Sequence, residues 1–145
     1  MIRKIEVTDK NEYIEMATDF YHSNAVLAPV PVQHLKATFE EMVNSDRYVD
    51  GYFIEQDGKT AGFGLLAKTF SQESGGIVVW IEELYIKPEY RSLGLGKQFF
   101  QFIEKTYPQA TRFRLETEPE NDRAMKLYRS LGFEPFPYIQ FKKGL

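Results

Sequence analysis

The sequence predicts a mixed α/β fold of the α+β class, with elements in the order β-α-α-β-β-β-α-β-α-β. Three observations carry this. Apolar residues recur at helical spacing in four segments, β-branched and aromatic runs fill the stretches between them, and an Asp-Gly pair links two of those runs.

Ile2 to Val7 reads as a short strand. Asn11 to Tyr21 follows as a helix, with Tyr13, Met16, Ala17 and Phe20 on one stripe. Ala25 to Pro31 is an apolar loop. A second helix starts near Val32, where Pro31 suits the first turn and Leu35, Phe39 and Met42 align. Tyr48 to Glu55 and Thr60 to Thr69 are strands around Gln56-Asp-Gly-Lys59, a hairpin signal because Asp-Gly adopts turns that match strand twist.

Gly76 to Ile86 is a long strand closed by Lys87-Pro88. Gly94 to Tyr107 is a helix burying Leu95, Phe99, Phe102 and Ile103. Thr111 to Thr117 is a strand and Asn121 to Ser130 a helix. Phe133 to Lys142 is a last strand whose Pro135 and Pro137 suit an edge or a bulge, an edge that a second copy could join as a homodimer. No repeat, low-complexity tract or linker divides the chain, so residues 1–145 read as one domain.

Composition narrows the function. The 145 residues are 43% hydrophobic and 27% charged, an ordinary globular balance. The absence of Cys excludes disulfides, thiolate catalysis and Cys-based zinc sites. Net charge is -3 and the Lys and Arg residues are scattered, so no basic stripe awaits a nucleic acid. The N-terminus lacks the apolar run of a signal peptide, and no stretch approaches the roughly 20 apolar residues that span a bilayer. The expected compartment is the cytoplasm, with no membrane partner. His22 and His34 stand apart and make a poor metal site, so no metal is expected.

The most informative segment is Tyr85-Ile-Lys-Pro-Glu-Tyr-Arg-Ser-Leu-Gly-Leu-Gly-Lys97, where a strand ends and a helix opens inside Arg91-x-x-Gly94-x-Gly96. A helix N-terminus leaves backbone N–H groups unpaired and carries partial positive charge. Glycines there let an anion approach the backbone. Arg91 and Lys97 add positive charge where the helix dipole favours acids, which an anion between them would resolve. A plain turn and helix start would also fit this short pattern. A P-loop does not fit, because Gln98 follows Lys97 and Arg91 occupies the first glycine position. Phe99 stands where a dinucleotide fingerprint needs its third glycine.

With its surroundings, the segment resembles the GNAT superfamily of N-acetyltransferases. Three pieces match in order: the acidic strand Val79-Trp-Ile-Glu-Glu-Leu-Tyr-Ile86, then Arg91-Ser-Leu-Gly-Leu-Gly96, then Glu116 to Phe133 with its Asn…Ala-x-x-Leu-Tyr-x-x-x-Gly-Phe pattern. The match covers roughly Tyr48 to Phe133; the first forty-odd residues agree only in helical character. The resemblance implies a mostly antiparallel twisted sheet flanked by helices, and acetyl-CoA as co-substrate with an amine as acceptor. It also implies a pantetheine arm beside a splayed strand, paired with backbone at Leu84 and Ile86 and passing Tyr85. The pyrophosphate would rest on Arg91 and the amides of Ser92, Leu93, Gly94, Leu95, Gly96 and Lys97. Asn121 would contact the pantetheine, and Tyr128 would stand near the sulfur.

Such chemistry needs a base, because an amine with a pKa near 10 is ammonium at neutral pH and has no lone pair to attack with. With no Cys to carry an acyl group, direct attack is the simpler course. Glu82 and Glu83 are the candidates. Neighbours on a strand face opposite ways, so only one faces the cleft unless a bulge intervenes. Family position favours Glu82; a water relay without a single base also fits, and Glu116 is a weaker third candidate. Tyr128 is the expected general acid, although Ala124, Leu127, Tyr128 and Leu131 share a helix face and Tyr128 could be core alone. Phe20, Tyr21, Trp80, Phe136, Tyr138 and the Ala25–Pro31 loop are expected to wall the acceptor pocket. The acceptor itself stays open, from protein amines to polyamines, and a non-catalytic acyl-CoA-binding module is the alternative reading.

Overall fold

The computed structural model describes residues 1–23 and 25–144. Its elements are β1 (Ile2–Lys4), α1 (Lys10–Tyr21), α2 (Val32–Asn44), β2 (Val49–Gln56), β3 (Lys59–Ser71), β4 (Gly76–Ile86), α3 (Leu95–Thr106), β5 (Ala110–Leu115) and α4 (Asp122–Ser130). Short 3-10 turns occupy Val7–Asp9 and Pro88–Tyr90. The strands form one sheet in the order β1-β2-β3-β4-β5, antiparallel throughout except for the parallel pair β4–β5.

The predicted hairpin forms at Asp57-Gly58, both with positive φ (52° and 75°), the turn whose twist suits the flanking strands. Helices α1 and α2 cover one face with the predicted stripes: Tyr13, Met16, Ala17 and Phe20 from α1, and Leu35, Phe39 and Met42 from α2, are buried against Phe53, Phe63 and Leu65. Helix α3 covers the other face through Leu95, Phe99, Phe100 and Ile103, flanked by Tyr128 of α4 and by Leu131 just after it. The expected Phe102 lies at the margin of this stripe, with its ring 5.1 Å from Tyr52. Among the described residues no helix is long and apolar enough to cross a membrane.

Two sequence expectations are corrected. The first strand ends at Lys4 rather than Val7, because Asp9 accepts the Glu6 N–H at 2.8 Å and binds Arg3 at 2.7 Å, folding Val7–Asp9 into a turn. The expected last strand over 133–142 does not form, and the sheet ends at β5. Pro135 and Pro137 lack the N–H that a ladder needs, and Ile139 and Phe141 stand exposed.

A bulge shapes the middle of β4. Leu65 pairs with Glu83 and Leu66 with Ile81, so Glu82 is the extra residue. Before the bulge, Val79 and Ile81 point to the α3 side; after it, Tyr85 points to the α1–α2 side. One inserted residue therefore switches which face the odd-numbered side chains occupy.

A buried polar network ties α3 to the sheet. At the residue that ends α3, the Tyr107 hydroxyl donates to Asp50 Oδ2 at 2.6 Å and stands 2.8 Å from the Tyr52 hydroxyl. Lys68 Nζ reaches the same carboxylate at 2.8 Å.

Helix α3 also approaches the sheet closely at Gly64, where an added Cβ would lie 2.1 Å from Phe99 Cζ. Phe99 is fully buried and has no room to retreat. Gly64→Ala is therefore expected to lower the unfolding free energy by about 1–3 kcal/mol, measured by urea denaturation. Trimming the facing ring with Phe99→Leu in the same chain should make the added methyl far less costly.

Candidate active site

The parallel ladder between β4 and β5 runs from Ile77–Ala110 to Ile81–Leu115 and stops there. Beyond it the strands part, and Glu82 to Ile86 have a neighbour on the β3 side only. The direction of their backbone follows from the antiparallel alternation. Lys87 N–H donates to Ala61 C=O at 2.8 Å, so Tyr85 and Glu83 also turn their backbone groups toward β3. Leu84 and Ile86 turn theirs into the gap. The Ile86 carbonyl accepts from Arg91 Nε at 3.0 Å, which leaves the Ile86 N–H and both Leu84 groups facing the fork.

At the mouth of the gap the chain turns into α3. Ser92 and Gly94 both take left-handed conformations (φ 65° and 78°), and no side chain among the described residues caps the helix. The first-turn amides, including those of Leu95, Gly96 and Lys97, thus have no side-chain acceptor, and a Cβ on Gly94 would meet nothing within 4 Å. Leu93 and Lys97 are exposed beside this loop. Arg123, at the start of α4, donates from Nη2 to Ser92 Oγ at 2.9 Å. The loop therefore gathers Arg91, Lys97 and Arg123 around unpaired amides, a geometry suited to a phosphate or diphosphate.

Sequence reasoning missed Arg123. Its signal was its place two residues after Asn121, in the motif that opens α4. Asn121 is the N-cap of α4, and its Oδ1 accepts from Ala124 N–H at 3.2 Å. Tyr128 lies half-buried between the rings of Phe100 and Phe133 (5.8 and 6.2 Å), and its hydroxyl has no hydrogen-bond partner among the described residues. Burial raises its pKa above the ordinary tyrosine value, so it stays protonated at neutral pH.

The two glutamates have different surroundings. Glu82 is exposed at the fork, and desolvation together with the Glu116 charge raises its pKa. Glu83 is buried on the α1 side, where the Tyr21 hydroxyl donates to Oε1 at 2.5 Å and Oε2 has no partner among the described residues. Tyr21 follows Tyr13 and Ala17 at four-residue steps, so its inward direction was readable from α1. The expected aromatic walls divide. Phe20 belongs to the core, Tyr21 meets Glu83, Trp80 and Phe136 lie against the guanidinium of Arg114, and Tyr138 packs edge-on against Phe136.

Comparison with known proteins adds the following. The family model described as Acetyltransferase (GNAT) family matches residues 12–133. A thialysine N-epsilon-acetyltransferase from Bos taurus is 33% identical over 73 residues, covering 49% of this chain and 42% of that protein. An uncharacterized N-acetyltransferase from Lactobacillus delbrueckii subsp. lactis is 29% identical over 99 residues, 64% of this chain and 56% of that protein. The chain thus spans about half the length of the curated relatives it matches. In fold, it is similar to a possible acetyltransferase from Clostridium difficile 630 (TM-score 0.87, 18% identity, 100% of this chain and 97% of that one). It is also similar to the aminoglycoside N-acetyltransferase AAC(6')-Iy solved in complex with CoA (TM-score 0.80, 21% identity, 99% and 93%).

Burial is the largest influence on Glu83 and raises its pKa from 4.5 to about 7; the Tyr21 hydrogen bond lowers it and the Glu82 charge raises it. The folded protein therefore keeps a proton between pH 4.5 and about 7 that the unfolded chain has released, and stability falls as pH rises through that window. Glu83→Gln should consequently gain on the wild type by on the order of 3 kcal/mol between pH ~4.5 and ~8. Urea denaturation at the two pH values measures this, and a gap that does not change with pH would refute it.

Proposed function

The chain belongs to the GNAT family of acetyltransferases, and on that premise we propose that residues 1–145 act as one N-acetyltransferase domain. It would move an acetyl group from acetyl-CoA to a primary amine by direct attack in a ternary complex. The observation that carries this is the fork, where the free main-chain groups of β4 lead from Leu84 and Ile86 to the unpaired amides before α3.

The donor fits these features in sequence. Diphosphate oxygens would take the amides from Ser92 to Lys97, with Arg91, Lys97 and Arg123 balancing their charge. A pantetheine arm carries amides of its own, which would complete the strand edge at Leu84 and Ile86 much as β5 completes it at Ile81. Asn121 would stand beside that course, while Tyr85 turns its backbone to β3 and its ring to the α1–α2 side. The relatives named for acetylation of thialysine and of aminoglycosides support an amine acceptor.

Glu82 is the preferred base. It stands exposed at the bulge where the ladder to β5 ends, and its raised pKa would bring it nearer to that of the amine whose proton it takes, directly or through water. Glu83 is a poorer choice, since its carboxyl is buried and one oxygen already accepts from Tyr21. A free N–H at the fork would stabilise negative charge developing on the thioester oxygen. Tyr128, protonated and unpartnered, would then give its proton to the departing sulfur.

Thiol release from acetyl-CoA across a panel of amines tests this reading. Binding of acetyl-CoA without release on any amine would point instead to a non-catalytic binding module. Tyr128→Phe should lower kcat by about 100-fold or more, while the acetyl-CoA Kd, measured by calorimetry, stays close to that of the wild type. Equal turnover in the two proteins would remove Tyr128 from the role of acid.

A further inference from the structure

Strand β5 has two unlike sides. Phe113 and Leu115 pack toward α3, so Arg112 and Arg114 face the opposite side, and Glu116 follows just past the strand. There Arg114 pairs in register with Trp80 of β4. Its guanidinium carbon lies 4.0 Å from the centre of the Trp80 ring and 4.8 Å from that of Phe136. Tyr138 supports Phe136 edge-on, with ring centres 4.8 Å apart, and its hydroxyl donates to Glu73 at 3.0 Å.

The neighbouring Arg112 also lies over Phe136, at 4.9 Å, but its charge is met by Glu73 at 3.1 Å. Arg114 has no hydrogen bond and no ion pair among the described residues. Both rings lie against it, and its five N–H donors project in the guanidinium plane without a partner among the described residues. A guanidinium held this way is already ordered for a planar, two-oxygen acceptor, and a carboxylate matches it.

The location gives this arrangement a use. A step of two residues separates Trp80 from Glu82, the bulged residue, and Arg114 from Glu116, just past β5, and Glu116 lies close enough to Glu82 for its charge to be felt there. The face therefore runs from an unpaired cation to a pair of acids at the fork, where the reacting amine is placed. A molecule lying along it meets a carboxylate receptor at one end and the base at the other. A second ammonium in place of that carboxylate would face Arg114 and be repelled.

We propose that Arg114, held against Trp80 and Phe136, binds the carboxylate of the acceptor, and that the acceptor is an aminocarboxylic acid with its amine and carboxylate at opposite ends. This rests on the acetyltransferase reading and specifies its substrate class.

The test compares kcat/KM for ε-aminocaproate, n-hexylamine and cadaverine in the wild type, Arg114→Gln and Arg114→Lys. Binding of ε-aminocaproate in the presence of CoA is followed in parallel by saturation-transfer NMR. The wild type should prefer ε-aminocaproate to the two amines by about ten- to a hundredfold. Arg114→Gln should bring that ratio to within about twofold of unity, and Arg114→Lys, which keeps the charge but loses the fork, should fall between. Should the Gln variant not fold, the Lys variant decides the same ratio. Turnover of amines with no preference for the carboxylate, a preference for cadaverine, or a ratio that survives loss of Arg114 would each overturn the subsite and leave acetyl transfer standing. If no amine turns over, but ε-aminocaproate binds the wild type and not the Gln variant, the subsite stands and the transfer reading falls. No turnover and no binding would overturn both.

Discussion

One extra residue in β4 organises the rest of the site. A regular strand would keep Val79, Ile81, Glu83 and Tyr85 on one face, against α3. The bulge at Glu82 breaks that series, so the first two pack on α3 while Glu83 and Tyr85 belong to the α1–α2 side. The same irregularity falls where the ladder to β5 ends, one residue after Ile81. The parting of the strands, the exposure of Glu82 and the burial of Glu83 are thus consequences of one local change in pairing.

The two faces of the sheet then take different tasks. On the α3 side, close packing of Phe99 on Gly64 sets the depth of the helix, and Tyr128 is delivered by α4 against the same core. That side supplies the anion loop, with its two left-handed residues and three cations, and it suits the donor. On the opposite side, α1 brings Tyr21 to Glu83, and the C-terminal segment brings Phe136 to Arg114. That side carries the charged groups that would distinguish one acceptor from another. The fork lies between them, open to both.

Much of this was legible where local chemistry decides structure. The α1 and α2 stripes, the Asp57-Gly58 hairpin, the bounds of β4 and the helix opening at Gly94 all depend on residues a few positions apart. The three ordered motifs carried the family. What escaped depends on pairing at a distance. A period of two cannot reveal where a strand carries an unpaired residue, so the relation of Glu82 to Glu83 stayed open. The last strand failed because apolar aromatic residues suggested it while Pro135 and Pro137 denied it hydrogen bonds. The stack of Trp80, Arg114 and Phe136 unites three elements, and nothing at any one of those positions announces it.

The polar network at the far end of α3 bears on the near end. Apolar packing is non-directional, so it resists sliding along a helix axis only through the fit of its surfaces. A short hydrogen bond to a buried carboxylate is more exacting, since a shift of even an ångström breaks it. Tyr107 and Asp50 therefore act as an axial stop, pinning the helix lengthwise twelve residues from its first turn. A rigid rod stopped at its tail presents its head at a fixed height, so the amides meet an incoming diphosphate already aligned.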